Sequence, residues 1–146
     1  MIHTVTLNPS LDRTLHYDRL QLGAVNRASS VRVEPSGKGV NVAAALRSLG
    51  QEATILLCAG GATGRALIDD LEAQGYKPIC VTVAEETRSN VTVIDDASGV
   101  ITKLNEAGAA VTIDDLAALE RLLLERATAG DWCVLSGSLP PGAPSD

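Results

Sequence analysis

The sequence predicts an α/β fold in which helices flank a parallel β-sheet and a second, smaller sheet lies beside it. Apolar strands alternate with helices, as where residues 53–59 precede a helix at 65–74. This alternation is typical of a parallel sheet that is covered on both faces. Half-polar extended segments near 13–34 and 88–105 interrupt the alternation. We expect them to form the small sheet.

Each main element follows from its own pattern. Strands are expected at residues 2–7, 53–59, 78–83 and 132–135, and helices at 40–49, at 65–74 and after Thr112. Pro9 ends the first strand, while Gly50 and Gly75 end the first two helices. Thr112 is a typical N-cap, and Asp114 and Asp115 follow it where the helix dipole favours negative charge.

Composition excludes several classes of function. The chain has 146 residues, 45% of them hydrophobic and 2% aromatic, which is enough for one domain with an aliphatic core and too few rings for base stacking. Its net charge of -6 makes nucleic acid and membranes poor partners. The three cysteines lie in apolar runs, so we expect buried, reduced thiols in the cytoplasm. His3 and His16 lack metal-ligand spacing, so no metal site is expected.

The segment 36–41 is a candidate ligand loop. Gly37 and Gly39 allow the backbone to approach a ligand, and the helix that follows directs free N–H groups at it. Lys38 lies between the two glycines, and Asn41 adds a donor and an acceptor in the first turn. Because Gly39 follows Lys38 where a Walker A loop needs Ser or Thr, this is not such a loop. An ordinary glycine turn before a helix is the alternative.

Other polar residues could complete a site. Asp12 follows the first strand, near the sheet edge where open α/β folds bind ligands, or else is a turn residue. Arg88 could hold a phosphate with its planar fork, with Asn90 beside it, or could be a solvated surface arginine. Lys103 lies on the neighbouring strand, where it could simply be a side chain on a solvent-exposed face of the sheet. Ser136 and Ser138 follow the last strand. Their hydroxyls could line a crevice, or the segment could be only a rigid Pro-Gly turn.

The glycine-rich segment 59–64 leaves another class open. It nearly matches a dinucleotide fingerprint, with Ala59 in place of the first glycine. Glu85 lies about twenty residues beyond Gly64, where a ribose hydroxyl would need an acid. Close packing of strand against helix explains the same glycines. A dinucleotide-binding oxidoreductase domain and a non-catalytic sugar-binding or assembly module therefore remain alternatives.

Five motifs occur in an order that resembles the phosphofructokinase B family of ribokinase-like sugar kinases. They are Thr6-Leu7-Asn8-Pro9-Ser10-Leu11-Asp12, Gly37-Lys38-Gly39-Val40-Asn41-Val42-Ala43, Ala59-Gly60-Gly61-Ala62-Thr63-Gly64, Thr87-Arg88-Ser89-Asn90 and Ser136-Gly137-Ser138-Leu139-Pro140-Pro141-Gly142. The segment 102–108 is most similar to that of 1-phosphofructokinases. The resemblance covers the whole chain but only about half of a typical member. Ser36 departs from it, standing where many members have a further glycine.

The resemblance implies roles for these residues. Asp12, Gly37, Gly39 and Asn41 would hold sugar hydroxyls, and Arg88 would hold the substrate's phosphate. Ser136 or Ser138 would line the sugar site, with Lys103 and Arg27 near the phosphate. Residues 1–146 would be the N-terminal part of a ribokinase-like kinase domain whose lid strands lie near 13–34 and 88–105, and the lid would pair with a second subunit in a homodimer.

The resemblance also implies what the chain lacks. The catalytic base and the sites for ATP and Mg²⁺ would lie in a C-terminal nucleotide-binding half, so we expect truncation, no catalytic residue here and no activity from this part alone. Ser145 or Asp146 would cap the next helix. The implied reaction is phosphate transfer from ATP to fructose 1-phosphate, giving fructose 1,6-bisphosphate. Phosphorylation of fructose 6-phosphate or tagatose 6-phosphate is the alternative.

Overall fold

A computed structural model describes residues 1–144 and confirms the α/β fold. The strands are β1 Ile2–Thr6, β2 Ser10–Tyr17, β3 Ser30–Ser36, β4 Ala53–Ala59, β5 Ile79–Thr82, β6 Arg88–Asp95, β7 Val100–Leu104 and β8 Trp132–Leu135. The helices are α1 Lys38–Ser48, α2 Gly61–Ala73 and α3 Ile113–Leu124. Ser145 and Asp146, where we expect a helix cap, lie outside the described residues.

The main sheet is parallel and has the strand order β5-β4-β1-β8. Side chains alternate across β4, so the two faces carry separate apolar clusters. Ile55 and Leu57 pack with α1 and α2 on one face, whereas Leu56 and Cys58 pack with Leu119 of α3 on the other. Helices on both faces explain why the apolar residues in β4 form a continuous run.

The small sheet has the order β3-β2-β6-β7 and confirms the expectation from the half-polar segments. Its two outer pairs are antiparallel, and β2 and β6 join them in parallel. Ser10 pairs with both Ser36 and Arg88, so the three strands meet at the end nearest the main sheet.

Several boundaries differ from those expected. β2 begins at Ser10, immediately after Pro9, so Asp12 lies inside a strand of the small sheet and not in the turn after β1. The expected loop at 35–39 is nearly eliminated, because strand pairing continues to Ser36 and α1 begins at Lys38. Among residues 1–144 only glycines have positive φ, so Ser36 takes the place of a glycine without left-handed strain.

The end of the main sheet is more exposed than the sequence predicts. Strand β8 matches its expected range, but Trp132 is 74% and Leu135 72% exposed. Its only neighbour within residues 1–144 is β1, because it forms the edge of the sheet. Cys133 is therefore exposed. Cys80 lies on β5, the other edge strand, and is half-buried, so the expectation of three buried thiols is wrong except for Cys58.

Thr112 caps α3 as expected. Its hydroxyl accepts a hydrogen bond from the Asp115 backbone, and the Asp115 carboxylate accepts one in return from the Thr112 backbone. None of the helices in residues 1–144 is long and apolar enough to span a membrane.

Candidate functional site

Most of the predicted site residues lie on one rim of the molecule. We call this region the rim: the residues after β1 and β8, the start of α1, and the first residues of β2 and β6. Ser10 pairs with Ser36 and Arg88, the Asn8 side chain donates to the Ser138 hydroxyl at 3.3 Å, and Gly137 faces the side chain of Lys38. Asp12, Arg88 and the start of α1 therefore lie close together, with Gly39 buried just inside the helix.

Asp12 and Asn90 form the polar centre of the rim. The Asn90 amide donates to Asp12 Oδ1 and to Ser10 Oγ, each at 3.0 Å, and Ser10 Oγ donates to the same carboxylate oxygen at 2.7 Å. These contacts orient the carboxylate through Oδ1. Asn90 Oδ1 is buried and has no hydrogen-bond partner among the described residues. The second carboxylate oxygen of Asp12 stays available to a hydroxylated ligand, whereas the buried Asn90 oxygen could accept a hydrogen bond from one only after a local rearrangement.

The start of α1 offers backbone donors to the rim. Gly37 is its N-cap, and in the part of the chain that the structure describes no side chain caps this end and no acidic residue lies in the first turn. The first N–H groups of a helix need partners from outside it. Asn41 lies one turn in and is exposed, and Lys38 is exposed beside Gly37. This helix end can therefore receive hydroxyl or anionic oxygen atoms.

Two glycines bring α1 against the end of β1. Gly37 has φ 134°, and a Cβ there would lie 2.8 Å from the Thr6 methyl group and 3.2 Å from Pro9 Cα. A Cβ at Gly39 would overlap the Thr6 hydroxyl. The glycines are thus required by packing as well as by backbone conformation. They place the donors of α1 directly above the carboxyl end of β1.

Arg88 is a partly buried arginine of the rim. Its Nη2 donates to the Asn8 backbone oxygen at 3.0 Å and its Nη1 to the Glu106 backbone oxygen at 3.3 Å. Its Nε is buried and finds no acceptor within residues 1–144. The alternative of a solvated surface arginine is therefore wrong. Since a guanidinium carries five N–H groups, donors remain for a phosphate.

The remaining candidates differ in how closely they join the rim. Ser136 donates its backbone N–H to the Val5 oxygen, extending the β1–β8 pairing, and Ser138 contacts Asn8. Lys103 pairs with Thr92, two residues beyond Asn90, and shares its face of the small sheet. Arg27 is exposed in the connection between β2 and β3. Lys103 and Arg27 therefore lie farther out along the small sheet.

Asn8 is a residue of the rim that the sequence does not indicate as part of the site. It is 5% exposed and contacts both Arg88 and Ser138. In the sequence it looks like part of a strand-ending Asn-Pro turn. A buried amide cannot be told from an exposed one by residue type, so only its place in an ordered motif could have indicated it.

The glycine-rich segment at the start of α2 already binds acidic side chains of the chain itself. The Glu86 carboxylate accepts hydrogen bonds from the backbones of Ala62 and Thr63 at the start of α2. Hydrogen bonds from the side chain and backbone of Thr63 lower the pKa of Glu86. Glu85 accepts from the Ala110 backbone at 2.8 Å. The anion position and the acid that a dinucleotide would need are thus both engaged, and the oxidoreductase alternative loses its basis.

An apolar groove opens at the rim beside Ser136 and Ser138, but its mainly apolar lining does not suit a sugar. Its volume is about 510 Å³, and it runs between α3 and the β1–β8 pair. Leucines supply most of its lining, among them Leu119, Leu123 and Leu135.

Over residues 1–144, no three His, Cys, Asp or Glu side chains cluster to hold a metal ion.

Comparisons with known proteins identify the family of the chain. Residues 5–146 match the pfkB family carbohydrate kinases. The chain is 39% identical over 143 residues to a 1-phosphofructokinase of Xanthomonas campestris, covering 98% of this chain and 45% of that protein. It is 38% identical over 141 residues to the ATP-dependent 6-phosphofructokinase isozyme 2 of Escherichia coli, covering 97% of this chain and 45% of that protein.

A solved structure shows the same fold. The phosphofructokinase-2 of Escherichia coli in complex with fructose-6-phosphate superposes with a TM-score of 0.91 at 38% identity, covering 98% of this chain and 47% of that one. The chain spans about half the length of the curated relatives that it matches. It belongs to the pfkB family of carbohydrate kinases.

Proposed function

We propose that this chain is the sugar-phosphate-binding half of an ATP-dependent kinase that converts fructose 1-phosphate to fructose 1,6-bisphosphate. One observation carries the proposal: Asp12 with Asn90, the uncapped start of α1 and Arg88 lie on the same rim. Together they present a hydroxyl acceptor, backbone donors and a phosphate-binding cation.

The proposed binding mode assigns each group a task. The Asp12 carboxylate and Asn90 carbonyl accept hydrogen bonds from sugar hydroxyls, while the N–H groups near Gly37 and Gly39 donate to sugar oxygens. The Arg88 guanidinium holds the phosphate, and Lys103 adds positive charge from the small sheet. Ser136 and Ser138 bound the sugar from the β8 side, and Asn41 from α1. Such positioning is the main protein contribution to phosphoryl transfer.

The choice of sugar rests on a smaller difference. The segment 102–108 favours fructose 1-phosphate, but the 1-phosphofructokinase and the 6-phosphofructokinase are 39% and 38% identical to the chain. Fructose 6-phosphate and tagatose 6-phosphate are therefore the alternatives within the same reaction class. Calorimetric titration of the chain with all three sugar phosphates decides among them. Tighter binding of either 6-phosphate would overturn the sugar assignment.

The catalytic base, ATP and Mg²⁺ are proposed to belong to a C-terminal nucleotide-binding half of the family-length protein. The described residues do not fit these groups, because they contain no cluster of metal-binding acids and because Glu86 fills the start of α2. Residues 1–146 alone are therefore proposed to have no kinase activity. A coupled assay for ADP release from the purified chain tests this, and sustained sugar-dependent release contradicts it.

The small sheet is proposed to act as a lid that pairs with a second copy of the chain in a homodimer. Asp12, Asn90 and Lys103 lie on one of its faces, whereas Val31 and Val33 lie on the other and are 52% and 41% exposed. Covering such a face would favour association. Light scattering should give twice the monomer mass for the chain, and Val33→Glu should halve it. A monomeric wild-type chain would refute this pairing.

The enzyme is proposed to act in the cytoplasm.

Substitution of Arg88 tests the binding mode. Arg88→Lys keeps the charge but loses the planar fork, and should weaken fructose 1-phosphate binding about tenfold or more. Arg47→Lys is the matched control, because Arg47 also donates to two backbone oxygens, those of Gln74 and Gly75, near the amino ends of the strands and away from the rim. Equal losses in both variants would indicate general destabilisation and contradict the assigned role.

A non-catalytic sugar-binding module remains the alternative from another class. It would bind the same ligands through the same residues without taking part in phosphate transfer. Joining the chain to the C-terminal half of a family kinase separates the two functions. Recovery of ATP-dependent fructose 1-phosphate phosphorylation that Asp12→Asn removes supports the kinase half, and binding without any recovered turnover supports the module.

A further inference from the structure

Asn8 makes more connections at the rim than its role as a strand-ending residue requires. Its backbone oxygen accepts the bond from Arg88 Nη2 at 3.0 Å. Its side-chain amide donates to the Ala107 backbone oxygen at 2.9 Å and to Ser138 Oγ at 3.3 Å. Its Oδ1 lies where a Cβ on Gly108 would be, and Gly108 has φ 106°. The amide is thus enclosed on several sides.

The partners of Asn8 are the two ends of one hairpin. Strand β6 begins at Arg88, and Ala107 and Gly108 follow the end of its partner strand β7. The two ends also hold each other, because Arg88 Nη1 donates to the Glu106 backbone oxygen and the Glu106 carboxylate accepts from the Ser89 backbone at 2.9 Å. Both ends of the β6–β7 hairpin are therefore hydrogen-bonded to Asn8.

We propose that Asn8 is a positioning residue that fixes both ends of the β6–β7 hairpin and thereby sets the orientation of the Arg88 guanidinium. Its effect on sugar-phosphate affinity rests on the proposed function. Its effect on Arg88 does not, because the hydrogen bonds are present without ligand. Asn8 itself does not have to touch the substrate.

The chemistry requires an amide at this position. The Nδ2 group donates to two oxygens at once, which a serine hydroxyl with a single hydrogen cannot do and a carboxylate cannot do at all. A carboxylate would also face the Ala107 oxygen without a proton between them. Since the residue is almost fully buried, the lost bonds could not be replaced by water without opening the hairpin.

The test changes the contact from both sides in the 146-residue protein. Asn8→Ala removes the amide, Gly108→Ala drives a Cβ into it, and the double variant relieves that clash. Gln51→Ala is the control, because it removes an exposed amide just before β4, at the amino ends of the strands and away from the rim. Nitrogen-15 NMR follows the Arg88 Nε–H resonance, and hydrogen exchange follows the Ser89 amide.

Asn8→Ala and Gly108→Ala should each move the Arg88 Nε–H resonance and speed exchange at Ser89 at least tenfold while the folded spectrum of α2 is retained. In the double variant, adding Gly108→Ala to Asn8→Ala should cost only the backbone strain of alanine at φ 106° and no longer the clash with the amide, so the two effects should be clearly less than additive. Gln51→Ala should change neither signal. An unmoved Arg88 resonance in a folded Asn8→Ala chain would overturn the proposal.

Ligand titration separates this inference from the proposed function. Asn8→Ala should weaken fructose 1-phosphate about tenfold, the low end for a lost hydrogen bond to a charged group, and should weaken fructose far less. If the wild-type chain binds no sugar phosphate, the proposed function fails while the NMR signals still decide the role of Asn8. If Asn8→Ala moves Arg88 but weakens both sugars equally, the positioning of Arg88 for phosphate is refuted.

Discussion

Replacing Gly39 with alanine is expected to destabilise the chain, and simultaneous replacement of Thr6 with alanine is expected to restore it. A Cβ at Gly39 would overlap the Thr6 hydroxyl and would lie 3.2 Å from the Val5 backbone oxygen. Both partners belong to β1, which cannot shift without breaking its pairing with β4 and β8. Helix α1 would have to move instead.

The expected magnitude follows from opposing contributions. Overpacking of this kind costs about 1–3 kcal/mol, and alanine returns at most about 1 kcal/mol of helix propensity, so Gly39→Ala should cost about 1–2 kcal/mol net. The Thr6 hydroxyl is buried without a hydrogen-bond partner among the described residues. Thr6→Ala therefore loses about one methyl group of burial but releases an unpaired polar group, and should be close to neutral.

Urea unfolding of the four proteins of the double-mutant cycle measures the coupling. We expect Gly39→Ala to lose most of its cost in the Thr6→Ala background, where the 3.2 Å contact with the Val5 oxygen remains, which gives a coupling free energy of about 1–2 kcal/mol. Gly50→Ala is the matched control at the other end of α1, since its φ is 75° and a Cβ there meets open space. Its strain should be the same in both backgrounds. An equal cost of Gly39→Ala with and without Thr6 would refute the close approach.

Three further outcomes follow from the structure. Thr112→Ala removes the capping box of α3 and should cost about 1 kcal/mol in urea unfolding; an unchanged midpoint would contradict it. The N-terminal ammonium of Met1, with help from Thr128, lowers the pKa of Asp131, so this contact stabilises the fold fully above about pH 4 and is lost as the pH falls from there through the lowered folded value. Asp131→Asn should flatten the acid side of the stability–pH curve, and an unchanged curve would count against the contact. Burial raises the pKa of Cys58 to about 12, whereas Cys133 is exposed, so peptide mass spectrometry should find Cys133 alkylated first at pH 8 and Cys58 only on unfolding.

The sequence predicted elements best where a local pattern decides them. Strand β8 has the expected bounds and Thr112 caps α3 as expected, because four apolar residues and a capping box are local signals. The start of β2 was missed because pairing with Ser36 and Arg88, both distant in sequence, extends the strand back to Ser10. Pairing partners of this kind cannot be read from a single segment.

Burial at the edge of the sheet likewise could not be predicted from a local pattern. The apolar run around Cys133 looks buried in sequence, but its exposure depends on β8 being the last strand in the order β5-β4-β1-β8. At the candidate site, residue types predicted which groups could bind a sugar phosphate. They could not predict that the Arg88 fork would be tied to two backbone oxygens or that Asn8 would be the buried residue beside it.

The two tethers of Arg88 explain why an arginine suits this position better than a lysine. Nη1 and Nη2 each give one hydrogen to a backbone oxygen, of Glu106 and Asn8, which fixes the plane of the guanidinium. Of the three N–H groups that remain, Nε–H is buried, so the second hydrogens on Nη1 and Nη2 are the two that a ligand can reach, and their direction is fixed before any ligand arrives. A lysine ammonium that made the same two bonds would have one hydrogen left and no plane to fix. Pre-organisation of this kind lowers the entropic cost of binding an anion, so the carbonyl bonds and the proposed phosphate contact reinforce each other instead of competing.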